Sequence, residues 1–189
     1  MGKGHGKPLN IENAKKFFYE FNSIVTELKI PYMLFFGTAL GAYRDGGFID
    51  VDRDMDFACY ERDIRGRVGD IATAFKEAGF RVEVIDHRHK CDWDGREFAI
   101  KLKKYGERAD FIFLLEDGDY YYSPGHTYAV TYREKKKVFQ EMDEKDFYGV
   151  KVRLPKKEFY EGLYGKNWHI PDTKFTNVAD YSERVISDI

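Results

Sequence analysis

The sequence has few of the features that mark secreted or membrane-spanning proteins. Only two cysteines, Cys59 and Cys91, occur among its 189 residues, which argues against a disulfide framework and fits a reducing compartment. No apolar run approaches the roughly 20 residues of a membrane-spanning helix. The segment Met1 to Lys7 lacks the apolar core of a secretory signal. We therefore expect a soluble, cytoplasmic protein without a transmembrane segment.

Neither sign of charge predominates in the chain. Lys and Arg number 31 and Asp and Glu number 33, which gives a formal net charge of −2. Because nucleic-acid binding depends on an excess of cations that neutralise phosphates, we expect no general nucleic-acid binding. The length and the 43% hydrophobic content favour one domain with an ordinary core. We assign residues 1–9 to a flexible lead and residues 10–189 to a single domain.

Apolar periodicity predicts helices that alternate with strands. Helical spacing begins after Asn10, a good N-cap, and continues to Leu28; it recurs from Arg62 to Gly79. Short helices are predicted at 38–44 and 155–164. Strands are predicted at 32–36, 56–60, 80–84, 98–102, 110–115, 120–122, 127–132 and 150–154, with a solvated loop or helix at 133–145. This order predicts an α/β (α+β) fold, a mixed sheet with helices packed on it.

The stretch from 35 to 60 combines a glycine-containing turn with a run of acids. An apolar strand pattern ends at Gly37-Thr38, where a short helix is predicted to begin. Glycine lets a phosphate approach the backbone, and the first amides of a helix point their N–H groups at an anion. We therefore predict that Gly37 and Thr38 bind the phosphates of a substrate. Arg44 is either a further anion ligand or half of a surface ion pair.

The acids of this stretch lie at alternate positions, 50, 52, 54 and 56. Alternate residues of a strand point to one face, so Asp54 and Asp56 meet at one ion, and Asp52 joins them if the strand begins early. Carboxylates this close raise one another's pKa unless a cation compensates. Oxygen-only ligands favour Mg²⁺ or Mn²⁺ over zinc. An exposed acidic turn is the plain alternative, and an EF-hand loop is disfavoured because Met55 stands where its glycine belongs.

A third carboxylate is needed to complete such a site. We choose Asp110, because it opens an otherwise apolar strand; it is predicted to ligate the metal or to take the proton of an attacking hydroxyl group. Lys101 lies on the polar side of the neighbouring predicted strand, where it contacts a phosphate or solvent. The predicted catalytic residues are thus Asp54, Asp56 and Asp110, and the predicted metal ligands are these three with Asp52.

From Gly37 to Ile49, and on through the acidic run, the sequence resembles the LicD/fukutin family, whose members have the nucleotidyltransferase superfold. Asp110-Phe111-Ile112-Phe113 resembles the later Asp-Ile-Phe strand of that family. Residues 154–171 resemble its C-terminal Tyr-Gly-Trp-Pro segment. The chain departs from the family at Asp50-Val51, where Pro-Trp is usual, and at Arg53, where an acid is usual.

The resemblance implies a metal-dependent phosphotransferase. Such an enzyme moves phosphocholine or a polyol phosphate from a CDP-activated donor to a glycan or small hydroxylated acceptor. The alternatives are a nucleotidyltransferase with an NTP donor and a nucleotide-binding module without turnover. A glycosyltransferase with an Asp-x-Asp motif is disfavoured, because only 53 residues precede Asp54, too few for the nucleotide-binding βα units that come first in such folds.

Several other residues have both a plain and a functional interpretation. Cys59 lies in an apolar strand pattern, which favours an inert core residue over a reactive thiol. His87, His89 and Cys91 alternate as zinc ligands would, but no fourth ligand stands nearby, so a solvated edge is favoured. Tyr164 and Trp168 are predicted to pack in the core or a lid, with an acceptor groove as the alternative for Trp168.

Overall fold

The computed structural model describes residues 7–86, 97–124, 131–171 and 185–186. The described helices are α1 Ile11–Glu27, α2 Phe36–Arg44, α3 Glu61–Ile64, α4 Val68–Glu77 and α5 Lys157–Tyr164, with a 3-10 helix at Lys136–Phe139. The described strands are β1 Met33–Leu34, β2 Met55–Tyr60, β3 Arg81–Asp86, β4 Glu97–Lys104, β5 Glu107–Asp117, β6 Tyr120–Pro124, β7 Thr131–Lys135, β8 Met142–Phe147, β9 Val150–Pro155 and β10 Val185–Ile186. The predicted mixed α/β fold class is confirmed.

The main sheet is built around β5. Strands β2 and β4 flank its first part, β1 continues the sheet beyond β2, and β3 continues it beyond β4. The later part of β5 pairs with β6, which leads to β7 and β10, whereas β8 and β9 form a separate hairpin. The β2–β5 pair is parallel, because α3, α4, β3 and β4 carry the chain across between them. Its register places Asp56 beside Asp110.

Helices α1 and α4 cover one face of this sheet with aromatic side chains. The ring of Phe21 stacks on Phe57 of β2 at 3.9 Å and meets Phe111 of β5 edge-on at 5.2 Å. Phe75 of α4 closes the cluster at 5.6 Å from Phe21. Because side chains alternate along a strand, this packing leaves the neighbouring residues of β2 and β5 on the opposite face. Asp56 and Asp110 lie on that opposite face.

A two-residue turn joins β4 to β5. Both of its central residues have positive φ, 56° at Tyr105 and 80° at Gly106, which is the conformation that matches the twist of paired strands. The turn fixes the register in which Lys101 pairs with Asp110 and Lys103 with Arg108. Two lysines of β4 therefore lie on the same face as the carboxylate of Asp110.

Four local expectations differ from the structure. The helix predicted from Arg62 to Gly79 is two helices, because Gly66 takes a φ of 73° between them. The first strand is only two residues long, since α2 already begins at Phe36. Strand β8 occupies part of 133–145, where a solvated loop or helix was predicted, because its charges hide the strand alternation. Leu9, assigned to the flexible lead, is buried and donates its N–H to the carbonyl of Asp52 at 2.8 Å.

Two further expectations concern regions that the structure describes only in part. Part of the strand predicted at 127–132 lies outside the described residues, which resume at Thr131 in β7. Within the described ranges, no helix has both the length and the apolar character needed to cross a membrane.

Candidate active site

Strands β2 and β5 bring acidic side chains together on the face of the sheet opposite α1 and α4. Asp56 and Asp110 are direct neighbours across the parallel pair. Two residues earlier on the same face, the guanidinium of Arg108 contacts the carboxylate of Asp54, with Nη2 and Oδ2 3.1 Å apart. Lys101 of β4 stands opposite Asp110 on its other side. The predicted carboxylates therefore share one surface, although their catalytic roles stay predictions.

The carboxyl group of Asp56 is at the electrostatic centre of this surface. Burial raises its pKa well above the usual range, and the negative charges of Asp54, Asp52 and Asp110 raise the pKa further. The positive charge of Arg108 acts in the opposite direction. Mutual repulsion of this kind is what the alternating acids predicted, and it identifies a place where positive charge is favourable.

Asp52 lies against the start of α2. A methyl group built on Gly37 would come within 2.5 Å of Asp52 Oδ2, so the absence of a side chain at Gly37 leaves room for this carboxylate. The other oxygen, Oδ1, accepts a hydrogen bond from the amide of Arg53 at 2.9 Å. Burial raises the pKa of Asp52 to about 6, and the charge of Asp54 adds to the rise. The group that lies close to the backbone of Gly37 is therefore the carboxylate of Asp52, which belongs to the chain itself.

The first turn of α2 is tied to β2 at Asp56. Thr38 is buried, and its hydroxyl oxygen accepts a hydrogen bond from the amide of Asp56 at 2.9 Å. The amide of Phe35 donates to the carbonyl of Asp56 at 3.0 Å. Phe36 opens the helix with a φ of 37°, a strained value for a residue with a side chain, and such strain is frequent at functional turns. These contacts hold the predicted phosphate-binding turn beside the carboxylates.

Two residues that the sequence analysis did not assign to the carboxylates interact with them electrostatically. Tyr164, at the end of α5, is half-buried; burial raises its pKa well above the usual range, and the charges of Asp56 and Asp52 raise it further. Arg108 is the second, and a signal for it was present, because it precedes Asp110 by two positions in one strand and so shares its face. No comparable sequence signal links Tyr164 to the acids.

Arg44 makes the surface ion pair that was the alternative to anion binding. Its Nε and Nη2 donate to the two carboxylate oxygens of Asp45 at 2.8 and 2.6 Å. The charge of Arg44 also acts on Tyr164, opposing the rise in its pKa. Arg44 therefore lies near the carboxylates, while its guanidinium forms the ion pair with Asp45.

The side chains at this site suit a hard divalent cation in their chemistry. Four carboxylates whose charges act on one another offer oxygen ligands alone, the set that Mg²⁺ and Mn²⁺ prefer. In the part of the chain that the structure describes, no three His, Cys, Asp or Glu side chains are arranged around one point as metal ligands. Asp54 instead faces Arg108. Metal binding stays a prediction.

The remaining candidate residues have plain surroundings. Cys59 is a free, fully buried thiol whose pKa is raised by burial, which confirms its assignment to the core. Trp168 packs against Tyr43 and Tyr160, with ring centroids 5.5 and 5.3 Å away. The possible zinc ligands at 87, 89 and 91 lie outside the described residues.

Sequence comparisons connect this arrangement to one family. The family described as LicD/FKTN/FKRP, nucleotidyltransferase domain, has a model that matches residues 29–157. Similar curated proteins include the ribitol-5-phosphate transferase FKTN of Mus musculus and of Homo sapiens, each 29% identical over 164 residues. The match covers 85% of this chain and 34% of each relative, so the chain spans about a third of their length.

Comparison with solved structures gives the same fold. The lincomycin-bound lincosamide antibiotic adenylyltransferase LnuA superposes with a TM-score of 0.53 at 13% identity, covering 85% of this chain and 89% of that one. The solution structure of the antibiotic-resistance factor ANT(2″)-Ia gives a TM-score of 0.51 at 16% identity, with coverages of 89% and 79%. At these identities the likeness concerns the fold alone, and the predicted nucleotidyltransferase-like sheet is confirmed.

Proposed function

Because the chain belongs to the LicD/FKTN/FKRP nucleotidyltransferase-domain family, we propose that it transfers a phospho-alcohol from a CDP-activated donor to a hydroxyl group of a glycan-type acceptor. The observation that carries this proposal is that the charges of Asp52, Asp54 and Asp110 act on Asp56, beside the first turn of α2. The name ribitol-5-phosphate transferase, borne by the curated relatives, supports a phospho-alcohol as the group transferred.

The proposed reaction exchanges one bond at phosphorus for another. A hydroxyl oxygen of the acceptor forms a bond to the phosphorus of the phospho-alcohol. The bond between that phosphorus and the oxygen of CMP breaks, and CMP leaves with the electron pair. Asp110 accepts the proton of the attacking hydroxyl group, which increases the nucleophilicity of its oxygen.

The other side chains are proposed to position the donor and balance charge. Asp54 and Asp56, with Asp52 beside them, would hold Mg²⁺ or Mn²⁺, whose charge would stabilise the attacking and leaving oxygens. Burial and, after it, the neighbouring carboxylates raise the pKa of Asp56, and a bound cation would relieve the repulsion among the carboxylates, which supports this assignment. The first amides of α2 would orient the donor phosphates. Lys101, opposite Asp110, would contact the phosphate under attack.

The first test of the proposal measures ligand binding, and turnover is measured afterwards. We expect the purified chain to bind CDP-ribitol in the presence of Mn²⁺ in a calorimetric titration. Asp54→Asn should weaken Mn²⁺ binding by at least about tenfold, since even outer-shell partners of a metal have an effect of that size. The matched control is Asp50→Asn, which removes the same charge from an exposed position of the same run and should bind as the parent does.

Two results would change the proposal in different ways. Unchanged Mn²⁺ and nucleotide affinity in Asp54→Asn, with the circular dichroism spectrum preserved, would remove the basis for a metal-dependent site. Binding and turnover of CTP or ATP, without any response to CDP-ribitol, would instead replace phospho-alcohol transfer by nucleotidyl transfer.

A further inference from the structure

Arg108 of β5 places a positive charge among the proposed metal ligands. Its Nη2 lies 3.1 Å from Oδ2 of Asp54. Burial raises the pKa of Asp56 and of Asp52, the neighbouring carboxylates raise it further, and the charge of Arg108 opposes the rise. The guanidinium thus offsets the repulsion among the acids, which is part of what a bound divalent cation would do. Arg108 acts on the same carboxylates as the proposed ion.

The guanidinium of Arg108 is only partly satisfied by this contact. Its Nη2 contacts Asp54, whereas its Nε–H is buried and has no hydrogen-bond acceptor among the described residues. A buried donor without an acceptor costs free energy, and such donors are uncommon in folded proteins. The contact with Asp54 therefore carries a cost that a complete ion pair would not have.

Arg65, which follows α3 at the other end of β2, shows what a complete pair looks like in this chain. Its Nε and Nη2 donate to the two carboxylate oxygens of Glu61 at 3.0 and 2.7 Å. Two parallel contacts of this kind give an arginine–carboxylate pair both strength and a defined geometry. Arg108 lacks the second contact, so its hold on Asp54 is the weaker of the two and is easier for another cation to replace.

Cations on the neighbouring strands repel Arg108 from its other side. Lys103 of β4 is its direct partner across the antiparallel pair, and Arg81 of β3 is the direct partner of Lys103. Like charges directly opposite each other on a sheet are destabilising. The acids attract the guanidinium on one side, while Lys103 repels it on the other. A divalent cation held by the acids would turn that attraction into repulsion, since its charge has the same sign.

We propose that Arg108 is an internal counter-ion that competes with the divalent cation for Asp54 and thereby lowers the affinity of the site for that cation. This inference rests on the proposed function and adds to it a positioning residue, which acts through Asp54 and does not touch the reacting atoms. Contact with Arg108 keeps Asp54 neutralised before the cation binds, and loss of that contact accompanies binding.

The first test compares the Mn²⁺ affinity of the whole chain with that of Arg108→Gln in calorimetric titrations. We expect Arg108→Gln to bind Mn²⁺ about three- to tenfold more tightly, the effect of removing one like charge beside a partly exposed ion. Arg108→Lys keeps the charge and should stay close to the parent. In an Asp54→Asn background, Arg108→Gln should change the affinity much less, because the residue for which the two cations compete is already neutral.

The second test separates this role from a merely structural one by urea unfolding. In EDTA, Arg108→Gln should be less stable than the parent, because the acids lose their counter-ion. Mn²⁺ should stabilise Arg108→Gln more than the parent, since tighter binding to the folded state gives a larger gain. A residue that only supports the fold would lower the stability equally with and without Mn²⁺, and that result would contradict the inference.

The matched control is Arg65→Gln, which removes a guanidinium paired with Glu61 and should leave the Mn²⁺ affinity unchanged. Equal or weaker Mn²⁺ binding by Arg108→Gln than by the parent would overturn the inference while the proposed metal site stands. Absence of Mn²⁺ binding in the parent and in Arg108→Gln would overturn both. A check that does not need Arg108→Gln to fold is the Nε–H resonance of Arg108, assigned by its loss in Arg108→Lys; Mg²⁺ should shift it in the parent, and an unchanged resonance at saturating Mg²⁺ would also overturn the inference.

Discussion

Alanine substitutions at three helical glycines give a direct measurement of how tightly α2 is packed. A methyl group built on Gly41 would come within 2.5 Å of the carbonyl oxygen of Gly47 and 3.2 Å of the amide nitrogen of Ile49. Both are backbone atoms of the loop that leads to the carboxylates, so they cannot rotate away. Gly69 in α4 is the control, because a methyl group there has no neighbour within 4 Å.

The expected difference in stability between Gly41→Ala and Gly69→Ala does not depend on backbone entropy, because both variants gain the same contribution. Alanine in place of helical glycine gains up to about 1 kcal/mol at both positions through backbone entropy. Only Gly41→Ala adds the cost of overpacking, which is typically about 1–3 kcal/mol. We therefore expect Gly69→Ala to stabilise the protein by about 0.5–1 kcal/mol, and Gly41→Ala to be about 1–3 kcal/mol less stable than that control.

A third variant separates stability from the site. Gly37 is the second residue of α2, as Gly69 is of α4, but a methyl group there meets the carboxylate of Asp52. This side chain can turn aside, so Gly37→Ala should lose little stability while it weakens Mn²⁺ binding. Urea unfolding measures the free energy of unfolding of all three variants, and an unchanged m-value shows that the variants can be compared directly. Equal stability of Gly41→Ala and Gly69→Ala would show that α2 is not tightly packed at Gly41.

The remaining predictions concern single polar groups, each followed by urea unfolding. The pKa of Asp52 is raised to about 6, so the folded state keeps a proton that the unfolded chain loses near pH 4. The free energy of unfolding should therefore fall as the pH rises from about 4 to about 6. Asp52→Asn should remove that slope and stabilise the protein by up to about 3 kcal/mol at pH 7 in EDTA; an unchanged slope would contradict the assignment. Thr38→Val leaves the amide of Asp56 without its acceptor and should cost about 1–3 kcal/mol, whereas Thr38→Ser should cost less. Tyr148→Phe removes the oxygen that accepts from the amide of Phe48 at 2.8 Å, for an expected loss of about 1–2 kcal/mol; no loss would indicate that water replaces it.

The parts of the fold that follow local rules were predictable from the sequence. Helix α1 begins after Asn10, whose side chain accepts from the amide of Asn13 at 3.1 Å, and its buried residues repeat at helical spacing. Strand β8 was missed, because among the described strands it pairs with β9 alone, and it places charges on its exposed positions. A strand whose stability comes from one partner gives little signal of its own.

The candidate site was predictable to the same degree. The alternation of Asp54 and Asp56 indicated a shared face, and the strand at Asp110 was correctly located. The parallel pairing that puts Asp110 beside Asp56 depends on a crossover through α3, α4, β3 and β4, and no local pattern specifies it. The fit of the Asp52 carboxylate against Gly37 likewise arises only when the loop folds back on α2.

The two-residue turn between β4 and β5 determines on which face of the sheet each side chain of β4 lies. If an insertion of one residue at Tyr105-Gly106 moved the pairing of β4 by one position, instead of lengthening the turn, it would exchange the two faces of that strand. Lys101 and Lys103 would then press into the aromatic layer beneath α1, and Ile100 and Leu102 would emerge among the acids. A one-residue insertion at this tip should therefore be tolerated only where the turn itself lengthens and the pairing of Lys101 with Asp110 stays in place.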